Sequence, residues 1–461
     1  MATRTAPIAQ PQQLEASRWL VPFVFLVAFA VRLAVVFFLC RGIARSDWRF
    51  QQFGGEVGWV ARSLASGHGF SSPFSSWSGH TAMVSPLYTF VLAGVFRLFG
   101  VYSPASAFVI LSINSLLSAL TCIPIYFSAK HSLGMRGARV AACVFAFYPL
   151  SIYFSAGRVG DYALTALLFT ICFCIAQRIH SAPNPVAWMA WGLLYGLTAL
   201  SNPSVLSVLP FLIAFALWKM RRYGSLWVLN GALTLVAAGV VIAPWTIRNY
   251  LDVGTLSPVQ DSYWLGFDAG NFGDSSSPNP ASANPASNPV ELQAFLQMGE
   301  PAYLAQKRIL AAEWIRRHPL PFATVAARRA LYFWSGFWSF SRDYMQRGSV
   351  DFSGLIFVGS ITLLMLRGVR RFARMNPSAG LPYLALVGIF PIACYLSHSA
   401  IGFRQPIEPA ILVLAIAGLF PLRQVHSGSP TPRDHQWIGE ERALEPESPM
   451  ECYTFVDTLR Y

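Results

Sequence analysis

The sequence predicts an all-α polytopic membrane protein, and three observations carry that expectation. Of the 461 residues, 54% are hydrophobic, 14% are aromatic and only 12% are Asp, Glu, Lys or Arg. A soluble chain of this length would split into several domains, each coated with roughly 25% charged residues. The apolar residues also gather in runs near the length of about 20 that crosses a bilayer. A soluble enzyme, a nucleic-acid-binding protein and a small secreted scaffold are therefore excluded.

The first span runs from Trp19 to Cys40, behind a polar stretch, residues 1–18, that includes Arg4 and Arg18. No small-residue cleavage site follows a short apolar core, so it reads as an uncleaved anchor. Further spans fall near 108–129, 140–156, 162–177, 186–200, 204–218, 226–243, 352–366, 381–397 and 407–421. The stretch 83–99 is apolar too, but it opens on Ser85-Pro86 and contains Arg97.

Loop charge sets the orientation. The net charge is +13, and almost all of the basic residues are Arg. In a polytopic protein such an excess belongs in short cytoplasmic loops, here 130–139, 178–185, 219–224 and 367–374. All four lie inside with the N-terminus only if 83–99 makes no net crossing. That stretch is thus expected to be re-entrant or in-plane; the alternative is that it spans and one of the shorter spans fails to cross. The expectation is a bundle of about 10–12 transmembrane helices with two long outer segments, about 41–107 and 244–351.

The second outer segment contains the tract Asn279 to Pro289, whose repeated Asn, Pro, Ala and Ser favour a loop. Val290 to Arg317 then reads as one or two amphipathic helices ending at His318-Pro319. Residues 326–340 mix Arg with Trp, Tyr and Phe, the composition of a helix at the membrane interface. The tail, 422–461, is polar and is expected to be disordered and cytoplasmic.

Ionisable groups at a membrane mouth are costly and tend to be functional. On the outer side the first segment offers Asp47 and Glu56. Glu56 shares a helical face with Val60, Ser63 and Leu64 before the run breaks at Gly67-His68-Gly69. Asp161 follows the span at 140–156 and faces the same side, either as a functional carboxylate or as an N-cap of the next span. Arg158, Arg248, Arg328, Arg329 and Arg404 are the outer cations, and the rigid fork of arginine suits phosphate. Arg158, Arg248, Arg329 and Arg404 are the candidate donor-phosphate ligands. Together these groups describe an outer cavity at headgroup depth, suited to a phospholipid-linked substrate.

Other signals are bland. The seven cysteines form no ligand-spaced cluster, and His68, His80 and His398 show no metal spacing. No metal site is expected and no cofactor is obligatory; a divalent metal is not indicated. Arg32, inside the first span, is expected to pair with an internal acid or to snorkel. No phosphate-binding Gly-rich loop, nucleophile elbow or His-Glu-x-x-His is present.

The order of motifs resembles the GT-C class of membrane glycosyltransferases. The residues that carry it are the first span, an acidic outer loop, Ala61-Arg-Ser-Leu-Ala-Ser-Gly-His-Gly-Phe70, and a Pro86-Leu-Tyr88 segment ending Leu98-Phe99-Gly100. Further matches are Trp191 to Pro203, Ala243 to Asn249, Gly270-Asn271, Gly299-Glu300-Pro-Ala-Tyr303 and Phe403 to Pro409. They run from about residue 19 to 421. Within that class the sequence resembles bacterial members of glycosyltransferase family 39, related to protein O-mannosyltransferases and the lipid A aminoarabinose transferase.

The resemblance implies transfer of a sugar from a polyprenyl-phosphate donor to a lipid, glycan or protein acceptor. It places the active site on the outer face of a bacterial inner membrane. In such enzymes an acidic residue of the first outer loop serves as base, and a second acid opens a later span, where Asp161 matches. This sequence departs from the pattern by carrying Gln52 at the usual Asp position and Glu56 one helical turn later, with Asp47 as the substitute. Ser85 stands where some relatives carry a phosphate-binding Lys, which passes that role to arginines.

The chemistry is coherent in itself. A carboxylate can take the acceptor proton as the hydroxyl attacks the anomeric carbon, and cations stabilise the departing phosphate. Direct displacement inverts the anomeric centre. Two other readings are a transporter or flippase for an anionic lipid or glycan, and a catalytically inactive binding subunit of the same fold. The absence of an internal repeat speaks against the transporter; the displaced acid speaks for the binding subunit.

Overall fold

A computed structural model describes residues 11–43, 53–74, 77–181, 184–221, 226–271, 284–336, 352–397 and 400–420. Among them every regular element is helical, apart from one isolated antiparallel bridge between Ser71 and His80. The helices are α1 (Pro11–Ile43), α2 (Gly55–Ala65), α3 (Pro86–Phe99), α4 (Pro104–Leu120), α5 (Cys122–Ala146), α6 (Pro149–Ala156), α7 (Tyr162–Ala176), α8 (Pro185–Ser201) and α9 (Leu209–Met220). They continue as α10 (Leu226–Val253), α11 (Tyr263–Asn271), α12 (Pro289–Met298), α13 (Glu300–Arg317), α14 (Pro319–Ser335), α15 (Phe352–Met375), α16 (Pro377–Ile389), α17 (Ile392–Leu396) and α18 (Glu408–Leu419).

Five stretches among the described residues are long and apolar enough to cross a membrane: Trp19–Arg41, Pro104–Ala146, Tyr162–Ser181, Trp227–Val253 and Pro377–Leu396. Shorter apolar helices are Pro86–Phe99, Leu209–Met220 and Glu408–Leu419. The chain is an integral membrane protein, and several expected boundaries shift for local reasons. The expected span 140–156 is two pieces, because Pro149 has no N–H to continue α5 and instead opens α6 at its first turn. The basic loop at 130–139 is a kink inside α5 at Gly134, whose φ of 76° only glycine adopts cheaply. The basic loop at 367–374 is the end of α15. At 14 residues α3 extends about 21 Å at 1.5 Å per residue, short of the roughly 30 Å apolar thickness.

Small residues let helices close up where no hydrophobic effect drives them together in lipid. Gly192 and Gly196 of α8 face Thr234 and Ala238 of α10 so closely that a Cβ on either would strike main-chain atoms. Large side chains fill the main core: Trp188, Trp191, Tyr195 and Tyr383 are all buried in it. A second core joins α1, α2, α3 and α4 through Val36, Ala61, Tyr88, Phe96 and Ile110.

The two long segments expected on one side of the membrane touch each other. The Asp261 N–H donates to the Ala82 carbonyl at 2.8 Å, and Phe74 and Met83 share a small core with Leu265, Phe295, Tyr303 and Leu304. Residues 290–317 form two helices, α12 and α13, parted at Gly299. Lys307 of α13 holds them to α11 through Asp268 at 2.8 Å and Glu291 at 2.9 Å.

Arg32 corrects an expectation. It is fully buried, neither snorkelling nor paired to an acid. Its Nε donates to Ser118 Oγ at 3.0 Å, and its other nitrogens donate to the carbonyls of Ala28, Phe145 and Ala146 and to Ser151 Oγ. The Ala146 carbonyl is available because α5 ends there, two residues before Tyr148-Pro149, and the Phe145 carbonyl takes Arg32 alongside the Tyr148 N–H.

Candidate active site

The geometry of Glu56 starts at Gly54 and Gly55, whose φ values of 89° and 56° turn the chain into α2. Glu56 follows in the first helical turn, where a carboxylate is favoured by the helix dipole. Behind it α2 is fixed on α3: Phe53 packs edge-on against Phe96 and Tyr102, and Ala61 is buried against α3. The Glu56 carboxylate is half-buried and accepts from Asn284 Nδ2 at 3.3 Å. Asn284 is itself oriented by the Ala286 N–H, which donates to its Oδ1 at 2.8 Å.

The turn 157–161 joins α6 to α7. Tyr88 of α3, fully buried, pins it: its hydroxyl accepts from the Gly160 N–H at 3.2 Å and from Asn114 Nδ2 at 2.8 Å. Arg158 is exposed and forks onto the Tyr153 hydroxyl at 2.8 and 2.6 Å. Asp161 occupies the N-cap position of α7, yet its side chain caps no N–H. Its Oδ2 instead accepts from Thr165 Oγ1 and from Asn202 Nδ2, both at 3.0 Å. Thr165 in turn is hydrogen-bonded to Ser201 at 2.7 Å. Burial pushes the Asp161 carboxyl above the usual carboxylate range, and the bonds from Asn202 and Thr165 pull it part of the way back.

Tyr162 opens α7 directly after Asp161, and its charge environment includes Asp161, Arg158 and Glu56. Arg158 and Asp161 stand on the one turn before α7, and Glu56 comes from the first turn of α2.

The other three arginines lie elsewhere and are each engaged. Arg248 donates to the carbonyls of Thr81 and Phe70 at 2.6 and 2.8 Å and to Asp252 at 3.0 Å, which ties α10 to the segment before α3. The same segment is held from the other side by buried Glu300, whose oxygens accept from Thr81 Oγ1 at 2.6 Å and the Ala82 N–H at 2.7 Å. Burial pushes the Glu300 carboxyl up to about 7. Arg329 donates to the Leu396 carbonyl at 2.9 Å and to Asn271 Oδ1 at 3.1 Å. Arg404 is completely buried on Glu408. Arg158 shares the turn before α7 with Asp161, while Arg248, Arg329 and Arg404 stand in separate structural networks.

Asp47, Gln52 and His398 lie outside the described residues. Ser85, where the resemblance puts a Lys in some relatives, donates to Gln260 Oε1 at 2.6 Å. Among the described residues no three His, Cys, Asp or Glu side chains gather as a metal site would require. Sequence reasoning did not single out Tyr88, Asn202 or Asn284, the residues that aim the carboxylates. Tyr88 and Asn202 stand inside the motifs that carry the resemblance, so a residue-by-residue reading of those motifs could have found them.

Residues 83–247 match the family model described as dolichyl-phosphate-mannose-protein mannosyltransferase. That stretch includes Tyr88, Arg158, Asp161 and Asn202; Glu56 precedes it. No curated protein matches the sequence. Among solved structures, the archaeal oligosaccharyltransferase AglB from Archaeoglobus fulgidus, in complex with an inhibitory peptide and a dolichol-phosphate, superposes with a TM-score of 0.54. The chain has a GT-C-like fold. Identity to that enzyme is 13%, over 89% of this chain and 50% of that one, so this GT-C-like chain spans about half the length of the protein it matches. ArnT from Cupriavidus metallidurans, bound to undecaprenyl phosphate, aligns at 14% identity over 86% of this chain and 77% of its own, with a TM-score of 0.38.

Proposed function

We propose that this protein is a membrane glycosyltransferase. It moves a sugar from a polyprenyl-phosphate donor to an acceptor hydroxyl on the outer face of the membrane, with inversion at the anomeric carbon. The observation that carries the reading is a pair of held carboxylates, Glu56 on Asn284 and Asp161 on Asn202 and Thr165, with Arg158 three residues before Asp161 on the same turn. The family match across 83–247 and the AglB-like fold, with its dolichol-phosphate complex, support a lipid-linked donor.

Glu56 acts as base, taking the acceptor proton as the oxygen attacks. Asn284 holds it in line. Asp161, fixed through Oδ2 by Asn202 and Thr165, leaves Oδ1 outside both bonds to orient the acceptor or the sugar. Arg158 swings from Tyr153 to the donor phosphate and steadies the charge that develops as the glycosidic bond breaks. The leaving group is a phosphate, which departs without a strong general acid. The protein sits in a bacterial inner membrane, with lipid, glycan or protein as acceptor.

The test is sugar release from radiolabelled polyprenyl-phosphate hexoses by the purified wild type and by Glu56→Gln, Asp161→Asn and Asp47→Asn. Loss of turnover by at least about 100-fold in Glu56→Gln, in the range of general-base catalysis, supports the assignment. Loss only with Asp47→Asn keeps the reaction and moves the base. No turnover from any donor, with lipid binding intact, replaces the transferase by a flippase or a binding subunit.

A further inference from the structure

The motif Gly299-Glu300-Pro-Ala-Tyr303 contributes no group to the proposed chemistry, yet Glu300 is only 4% exposed. Gly299, at φ 75°, ends α12 and turns the chain into α13, of which Glu300 is the first residue. Its two oxygens accept from Thr81 Oγ1 and the Ala82 N–H, 219 and 218 residues earlier in the chain. Thr81 and Ala82 end a hairpin-like stretch in which the Ser72 N–H donates to the Gly79 carbonyl at 2.8 Å and the Thr81 N–H to the Phe70 carbonyl at 3.2 Å. Every polar group of Thr81 is engaged: its carbonyl takes Arg248, and its hydroxyl accepts from the Met83 N–H while donating to Glu300.

That hairpin backs the helix that carries Glu56. Ser71 Oγ lies 2.6 Å from Ser63 Oγ of α2, and Phe70 and Val84 pack with Val60 and with Val57, the residue after Glu56. The other partner of Glu56 comes from the α12–α13 side. Asn284 sits in the turn that opens α12: the Ser287 and Asn288 N–H groups donate to its carbonyl at 2.9 Å, and Asn288 caps the helix on the Val290 N–H at 3.0 Å. Ala286 packs on the small core of Phe295 and Tyr303, where Phe74 and Met83 of the hairpin segment also lie. Two bodies therefore meet at Glu56. The hairpin with α2 supplies the carboxylate, and α12–α13 supplies the Asn284 amide that donates to it at 3.3 Å. Glu300 belongs to the second body and binds the first, so its two hydrogen bonds span the same junction as the Glu56–Asn284 bond.

We propose that Glu300 is a positioning residue for Glu56: it clasps the hairpin, and with it α2, at the distance from α12–α13 at which Asn284 meets the Glu56 carboxylate. Its role in turnover rests on the reading of Glu56 as the base. The clasp needs two hydrogen bonds and not a charge. Glu300→Gln keeps an acceptor for the Ala82 N–H and offers an amide N–H to Thr81 Oγ1. Glu300→Ala removes both bonds but leaves the Asp261 N–H on the Ala82 carbonyl and Arg248 on the carbonyls of Phe70 and Thr81. It therefore loosens the junction without releasing the hairpin. Misplacing a catalytic group by about 1 Å can cost on the order of 100-fold in rate.

The experiment uses the full-length protein in detergent and reads two quantities: transfer kinetics with a polyprenyl-phosphate hexose, and amide hydrogen exchange. Glu300→Ala should lower kcat by about 10- to 100-fold with the donor KM within about twofold of the wild type. Amides of the first turn of α2 and of residues 284–288 should exchange faster, while those of α8 exchange as in the wild type. Glu300→Gln should restore kcat to within about threefold of the wild type, since the clasp is remade. Wild-type kcat and exchange in Glu300→Ala overturn the proposal, as does a change in KM alone or a Glu300→Gln variant as slow as Glu300→Ala. If Glu300→Ala does not fold, Thr81→Val, which removes one of the two bonds, decides by the same readouts with Thr81→Ser as its rescue. A wild type that turns over no donor removes the base reading and leaves the clasp to the exchange data: faster exchange at both segments in Glu300→Ala supports it, and unchanged exchange refutes it.

Discussion

Arg404 and Glu408 offer the sharpest quantitative test of the fold. They are 0% and 1% exposed, and they meet as a fork: Nε to Oε2 at 2.9 Å and Nη2 to Oε1 at 3.1 Å. The Tyr148 hydroxyl donates to the same carboxylate. The remaining nitrogen, Nη1, reaches only the Phe333 carbonyl at 3.3 Å and Thr362 Oγ1 at 3.5 Å. Glu408→Leu therefore strands a guanidinium that meets no second acid among the described residues, and should cost about 3–5 kcal/mol. Replacing both partners, Arg404→Met with Glu408→Leu, removes the charge and its counter-charge together. The residual cost is the orphaned Tyr148 hydroxyl, about 1–3 kcal/mol, so the double variant should be more stable than Glu408→Leu alone. Denaturant unfolding in detergent across the double-mutant cycle measures the coupling. A loss below about 1 kcal/mol in Glu408→Leu, or a double variant less stable than the single, would refute the buried pair.

Three further outcomes follow from the site and its supports. Asn202→Ala removes a donor that favours the ionised form of Asp161, so its carboxyl should rise further and the acid limb of the transfer rate should move to higher pH, read from a pH profile of kcat/KM. Glu300 is raised from 4.5 to about 7 by burial. The stability this gives is fully present below pH 4.5 and is lost as pH rises through 7, by up to about 3 kcal/mol; Glu300→Gln should flatten that dependence in unfolding measured from pH 5 to 8. Gly192→Leu would drive a side chain into the backbone of α10 at Thr234, and a loss of about 1–3 kcal/mol or more is expected from overpacking; an unfolding temperature equal to the wild type would contradict the close approach.

The membrane class and the helix succession were legible because composition and run length are averages over many residues. The finer boundaries were not. Pro149 cuts an apolar run that hydropathy reads as continuous, and Gly134 replaces a loop with a kink. Asp161 was legible as an acid at a span mouth, but local spacing could not separate a cap from a held carboxylate. The deciding partner, Asn202, is 41 residues away. Arg404 was read as an outer cation although Glu408 stands one helical turn on, a spacing that already signals an ion pair. For Arg32 no sequence rule existed to prefer carbonyls over an acid, because the Ala146 carbonyl becomes free only when a proline breaks a distant helix.

That last arrangement bears on how the protein is made. Arg32 enters the membrane early, with the first helix, while its outside partners are Ser118, Phe145, Ala146 and Ser151, from 86 to 119 residues later in the chain. Those hydrogen bonds can close only once α6 has been made and packed, so the docking of the first and sixth helices is a single late step in the assembly of the bundle.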